Sequence, residues 1–219
     1  MNPIHIVAAT TLALVALTPT NARVHFMAPS APGLTLFNTG VDASGVSTTG
    51  NGADLHWTLG AGSAQNGGTN GVFPIGPWLA EDATSRWATP TNNATDDVGV
   101  GSFAFTETFT LAAGDVATAG FFGRYAVDNA ITSIKLNGVA LANSGGSFTS
   151  WRSFSSAGGV FQAGTNTLTF DTQNFGGPAG VRVEFTGTAV PEASTWAMML
   201  AGFAMVGFSV RRRSSTVTA

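Results

Sequence analysis

Phe103, Phe105, Glu107 and Phe109 occupy every second position of one stretch, with Ala104, Thr106 and Thr108 between them. Successive side chains of an extended strand point to opposite faces, so this spacing gathers the phenylalanines on one face and small or hydroxylated residues on the other. The phenylalanine face is expected to be core. Ile134 and Leu136 repeat the alternation, and Asn137-Gly138 then supplies a type I′ turn before Val139 and Leu141. Leu168 and Phe170 repeat it after Gly164-Thr165-Asn166, and Val181, Val183 and Phe185 form a last inward row. Glycine-rich breaks at Gly158-Gly159 and Gly176-Gly177-Pro178 separate these runs, as turns do. Nothing between Arg23 and Val190 sustains a 3.6-residue period. About eight short strands with turns every 8–12 residues predict an all-β domain, a single antiparallel β-sandwich or jelly roll.

The two ends of the chain read differently. Ile4 to Leu17 is an apolar region broken mainly by small residues, and Thr20-Asn21-Ala22 offers a small-x-small cleavage site. Residues 1–22 therefore read as a secretory signal peptide, although its n-region has no lysine or arginine and only His5. A buried N-terminal helix is the alternative. At the other end, Ala193 to Val210 carries no charge, and Arg211, Arg212 and Arg213 follow directly. A helix over 194–210 reaches about 26 Å at 1.5 Å per residue, at the short end for a membrane-spanning segment. Trp196 suits the outer interface, and three consecutive arginines make a firm stop on the inner side.

The residues Pro191, Glu192, Thr195, Trp196, Ala197, Met198, Met199, Gly202, Phe203 and Gly207, followed by Arg211–Arg213, resemble a PEP-CTERM sorting signal of the PEPxxWA type. Ala193 stands where that family usually has a second proline. The resemblance implies a Gram-negative source and an exosortase-type processing enzyme as partner. It also implies transient anchoring in the inner membrane, N-terminus periplasmic and C-terminus cytoplasmic, and then the cell surface or extracellular space. On this reading the chain divides into a signal peptide (1–22), a flexible segment (23–33), a β-sandwich (34–188), a sorting signal (190–213) and a cytoplasmic tail (214–219). A generic membrane anchor is the plainer alternative for the tail.

Composition agrees with an exported β-protein. Charged residues make up 10% of the chain, Gly numbers 28 and Cys is absent, so disulfides and thiolate chemistry are excluded. Between Arg23 and Ala189 eleven acidic residues stand against six basic ones, a formal charge of −5 with no basic stripe. Nucleic acid is therefore not an expected partner. Within this body, Gly120–Gly138, Phe161–Phe170 and Gly177–Phe185 resemble the middle and closing strands of galactose-binding-like jelly-roll modules. Trp78 and Ser85-Arg86-Trp87 resemble their opening strands.

Catalytic side chains are scarce. Once residues 1–22 are removed, only His25 and His56 remain, and no Gly-x-Ser-x-Gly elbow accompanies either. Glu81-Asp82 and Asp96-Asp97 are adjacent carboxylates, which point apart on an extended chain and do not suit a glycosidase pair. No catalytic residues are assigned and no enzyme is expected; the remoter alternative, a hydrolase, would need His56 beside an exposed Ser or a pair of facing carboxylates. Asp42, Asp54, Asp96, Asp97 and Asp128 could serve calcium if several converged, but no EF-hand spacing is present and no metal site is assigned. Asp128-Asn129 also fits an Asx-type corner between strands.

The low-charge surface and four body tryptophans leave binding open. Asp54, His56 and Trp57 bring carboxylate, imidazole and indole together, and Trp78, Arg86 and Trp87 add aromatic and cationic groups. These six are the candidate ligand-facing residues, with exopolysaccharide as the expected contact. The competing expectation is that Trp57, Trp78, Trp87 and Trp151 fill the core, leaving a structural surface protein without a soluble ligand.

Overall fold

The computed structural model describes residues 33–66, 75–141, 143–157 and 159–187, together with Phe203. The expected signal peptide, most of the 23–33 segment, the sorting signal with its 194–210 helix and the 214–219 tail lie outside these residues. Among the described residues no helix is long and apolar enough to cross a membrane.

The body is all-β, as the alternation predicts. Its strands are β1 (Ala53–Leu59), β2 (Gly62–Asn66), β3 (Ala88–Thr89), β4 (Val100–Leu111) and β5 (Phe122–Asp128). They continue as β6 (Ala130–Leu136), β7 (Val139–Leu141), β8 (Arg152–Ser155), β9 (Gly164–Phe175) and β10 (Gly180–Gly187). A short 3-10 turn covers Val116–Thr118. The strands form one antiparallel sheet in the order β7-β6-β9-β4-β1-β2-β3-β10-β5-β8.

That sheet doubles back on itself. Phe105, Phe109 and Leu111 of β4, Ile131 and Ile134 of β6 and Phe170 of β9 share one core with side chains from the far end of the order. Tyr125 of β5 and Phe154 of β8 meet Phe170 edge-on at 5.9 and 5.2 Å between ring centroids. The two halves are thus the layers of a sandwich, with β1, β2 and β3 carrying the chain from one to the other. Edge-to-face rings suit the aromatic quadrupole and fix how the layers interdigitate.

The turn after β6 has the expected form. Asn137 and Gly138 hold φ of +51° and +80°, both positive as a type I′ turn requires. Asn137 ties the turn to β9 as well, accepting from the Thr167 amide at 2.9 Å and donating to Asn166 Oδ1 at 2.8 Å. Replacing Gly138 with alanine puts a Cβ into the left-handed region and is expected to cost about 1–2 kcal/mol, read as a lower midpoint in urea unfolding.

Leu34–Thr39 belongs to no strand yet is held from several sides. The Thr39 amide donates to Val183 O at 3.1 Å, and the Val183 amide donates to Thr39 Oγ1 at 3.0 Å. The Phe185 amide donates to Asn38 Oδ1 at 2.8 Å. On the other side, the Phe37 amide donates to Glu107 of β4, and Trp57 Nε1 donates to Phe37 O. This segment therefore fills the gap between β10 and the β1–β4 layer.

Candidate functional site

β1 departs from simple alternation, and the departure decides what its residues do. A register shift against β2 falls between Ala53 and Thr58. Asp54 and Trp57 both turn inward, while the apolar Leu55 is exposed. Asp54 spends its carboxylate on backbone donors: Gly40 N on Oδ2, His56 N and Trp57 N on Oδ1, at 2.7–3.0 Å. Burial still pushes its carboxyl above the ordinary range, against those three amides. The His56 ring stacks on Phe37 at 3.6 Å, and its Nε2 lies 3.0 Å from Asp42 O. Trp57 is fully enclosed. Asp54 and Trp57 look inward while the half-buried His56 ring lies against Phe37, and together they hold the 37–42 segment.

The second group sits on the outer face of β10 and β5. Trp78 and Trp87 pack ring on ring, 4.3 Å between centroids, in a small core with Ala126. Trp78 Nε1 donates to Asp128 Oδ2 at 2.9 Å, and Trp87 Nε1 donates to Leu79 O at the same distance. Asn129 Nδ2 occupies the other Asp128 oxygen at 2.6 Å, so this acid is a corner-former between β5 and β6. A ring with no open face cannot stack on a sugar, which removes Trp57, Trp78 and Trp87 as binding platforms. Trp151 is half-buried, with the guanidinium carbons of Arg124 and Arg182 at 4.3 and 4.9 Å from its ring centre.

Beneath the 78–87 cover lies a charged network that sequence reasoning missed. Arg182 and Glu184 of β10 are 1% and 2% exposed. Arg182 Nη2 meets Glu184 Oε1 at 3.2 Å and Asp82 Oδ1 at 3.1 Å, its Nε reaches Ser85 Oγ at 2.6 Å, and its Nη1 donates to Ala80 O. Ser85 Oγ donates to Glu184 Oε1 at 2.7 Å, while Arg124 holds the other carboxylate oxygen. Alternation marks these two β10 residues as outward-facing, and nothing in the pattern says that another segment covers them.

Arg86 is the candidate that reaches an opening. It lines a cleft of about 490 Å³ with Val46–Thr49 and Glu81–Ala83. Its Nε pairs with Glu81 Oε2 at 2.9 Å, and its Nη1 bonds Thr48 O and Gly50 O across the cleft floor. Burial raises the Glu81 carboxyl above its usual range, opposed by Arg86 and by the Trp87 amide. Asp82 behaves oppositely: burial is outweighed by the Thr84 amide and Arg182, and its carboxyl sits below the usual range. The opening therefore presents hydroxyls and an ionised carboxylate, chemistry suited to hydrogen-bonding a polar solute. Among the described residues, the His56 ring meets Phe37 and Asp42 O rather than a Ser hydroxyl.

The aspartates singled out for calcium do not converge. Asp42 Oδ1 takes the Ser44 and Val46 amides and Ser44 Oγ, and Asp97 Oδ1 takes the Gly99 and Gly177 amides. Asp96 Oδ1 accepts from Asn93. Among the described residues no group of three or more His, Asp or Glu side chains is placed to hold a metal ion.

Fold and cleft together define an antiparallel β-sandwich with a polar surface opening, followed by a targeting tail. Residues 189–213 match the family model of the PEP-CTERM protein-sorting motif. The chain thus carries a C-terminal sorting signal of that family, the mark of an exported protein that passes through the membrane to the surface. No curated protein matches the chain. A solved structure described as that of a family 35 carbohydrate binding module from an environmental isolate is 14% identical, covering 69% of this chain and 93% of its own. Its TM-score is 0.30, a superposition too loose to bear on fold or ligand.

Proposed function

We propose that this chain is an exported, non-catalytic surface or matrix module that associates with exopolysaccharide and is processed by an exosortase-type enzyme. The observation that carries the reading is the sorting motif at 189–213, whose Pro191, Glu192, Trp196 and Arg211–Arg213 would engage that enzyme. The 194–210 run would hold the domain at the inner membrane, C-terminus inside, until transfer to the surface. The cleft at Thr48, Asp82 and Arg86 is the proposed sugar contact, since sugar hydroxyls pair with hydroxyls, carboxylates and guanidinium groups. Neither calcium nor another cofactor is part of this proposal.

One observation favours a second reading: the burial of Trp57, Trp78 and Trp87 suits a structural surface protein without a soluble ligand. Affinity electrophoresis separates the two. Mobility of the full-length protein in gels containing exopolysaccharide is expected to fall, equally with calcium or chelator, and an Asp82→Ala/Thr48→Val double variant should weaken the retardation several-fold. Unchanged mobility in every polysaccharide, with or without calcium, would leave the structural reading.

A further inference from the structure

We propose that the sparsely charged pole of the sandwich around Phe122 and Val160 is a bilayer-contact surface, resting on the lipid headgroups while the tail is embedded. This deepens the proposed function and rests on its reading of 194–210 as a membrane-embedded segment.

Phe122 and Val160 are 51% and 54% exposed, large apolar side chains left in solvent. They line a groove of about 560 Å³ with Val116, Ala119 and Phe161. From Thr110 to Phe122 and from Ser153 to Phe170 the only charged residue is Asp115. The opposite pole carries Asp97 at the Gly177 turn and Asp128 opposite Gly180 at the start of β10.

The course of the chain says which surface this pole meets. β10 ends at Gly187, paired with Phe122 on the rim of the groove. Only Thr188–Ala193 separate that point from Ser194, where the embedded run begins. With six residues between them, Gly187 and Ser194 can be at most about 25 Å apart even when the linker is fully extended. The pole is therefore tethered within one short linker of the membrane plane. Gly33, the first described residue, abuts the Asp115 carboxyl at the same pole. An aromatic ring and a branched aliphatic there would partition into the interface, and the near-absence of acid spares the domain repulsion by anionic headgroups. Among the other exposed apolar side chains, Leu55 and Val139 stand singly, while Val100 and Phe175 form a pair across the β4–β9 ladder at the acidic pole. The twelve residues of β4 put it about 40 Å away.

The chain has no cysteine, so single labelling sites are clean. V160C, V100C and S209C full-length proteins would each carry a polarity-sensitive fluorophore in phosphatidylethanolamine–phosphatidylglycerol vesicles. Nitroxide would be placed either on headgroups or on acyl chains. The expected result is acyl-chain quenching at 209, and headgroup quenching at 160 at least twofold above that at 100. Absence of acyl-chain quenching at 209 overturns the embedded tail and this proposal with it. Quenching at 209 with equal behaviour at 160 and 100 leaves the tail standing and overturns the lipid contact. A label at 160 that is shielded from water but insensitive to lipid nitroxide also overturns it, pointing to a second copy or residues 188–193 as occupant.

Discussion

Replacing Arg182 with methionine is expected to destabilise the domain by about 3–5 kcal/mol, the cost of stranding a charge in a buried pair. For a chain of this size, even the lower figure lowers the melting temperature by roughly 6–12 °C. Arg182 is the group that connects Glu184, Asp82, Ser85 and the Ala80 carbonyl under the 78–87 cover. Without it, Glu184 keeps Arg124 and Ser85 but loses its most buried counter-charge. The matched double variant Arg182→Met/Glu184→Leu removes both charges and should recover most of the loss, because an apolar pair of similar volume carries no desolvation penalty. Urea unfolding followed by tryptophan fluorescence checks both variants. A single variant within about 1 kcal/mol of the parent, or a double variant no better than the single, would mean the network contributes little.

The second large effect is a pH dependence opposite to that of most proteins. Glu107 faces the core from β4 beside Trp57 of β1, its Oε1 accepting the Phe37 amide at 2.6 Å and its Oε2 buried without a partner. Burial raises its carboxyl well above the ordinary range, and the neighbouring Asp54 adds to this against the Phe37 amide. Asp54, Glu81 and Asp128 are raised by burial too. In the unfolded chain these acids lose their protons near 3.8 for Asp and 4.5 for Glu; in the folded domain they keep them to higher pH. Their contribution to stability is thus complete below those values and is lost as pH rises through the folded pKa values. Asp82 works the other way, stabilising above its unfolded value and losing that contribution as pH falls. Asp42, fully exposed, is also lowered by its Ser44 and Val46 hydrogen bonds, but the four raised carboxyls are the buried ones. The melting temperature is therefore expected to decline as pH rises above the unfolded carboxyl values. Glu107→Gln keeps the acceptor for Phe37 and removes the charge. Because the variant does not titrate, its melting temperature should exceed the parent's by a margin that widens as pH rises above the unfolded value and is small near pH 4. A melting temperature that rises with pH, with parent and variant running parallel, would reject this account.

How far the sequence could be read follows from what a period can report. The alternation of Phe103–Phe109 places Phe105, Phe109 and Glu107 on the buried face, where they are found. Asn137-Gly138 identifies its own turn because the type I′ geometry demands positive φ at both residues. Alternation assigns a face but not what lies over that face. Arg182 and Glu184 occupy outward positions of β10, and only the tertiary arrangement of Trp78–Trp87 buries them. Asp54 shows a different limit: a register shift lets the acid and Trp57 turn inward together while Leu55 faces out. Proximity in sequence suggested a ligand-facing cluster there, whereas the carboxylate is occupied by three backbone amides. Of the six candidates, Arg86 reaches the polar cleft. The sorting motif was legible because linear order defines it.

The strap formed by Leu34–Thr39 bears on when the domain is complete. Thr39 and Val183 exchange hydrogen bonds across 144 positions of sequence, and the Phe185 amide donates to Asn38 Oδ1 across 147. A chain exported from its N-terminus delivers the strap first and its docking strand last. Until β10 emerges the strap has half its partners missing, and the core beneath it stays open to water. Closure of such distant pairs is slow, and the partly emerged chain exposes strand edges meanwhile. If the tail is embedded as proposed, completion of the fold coincides with its arrival at the membrane, so a sorting step that acts at the C-terminus would meet a domain that has only just become able to close.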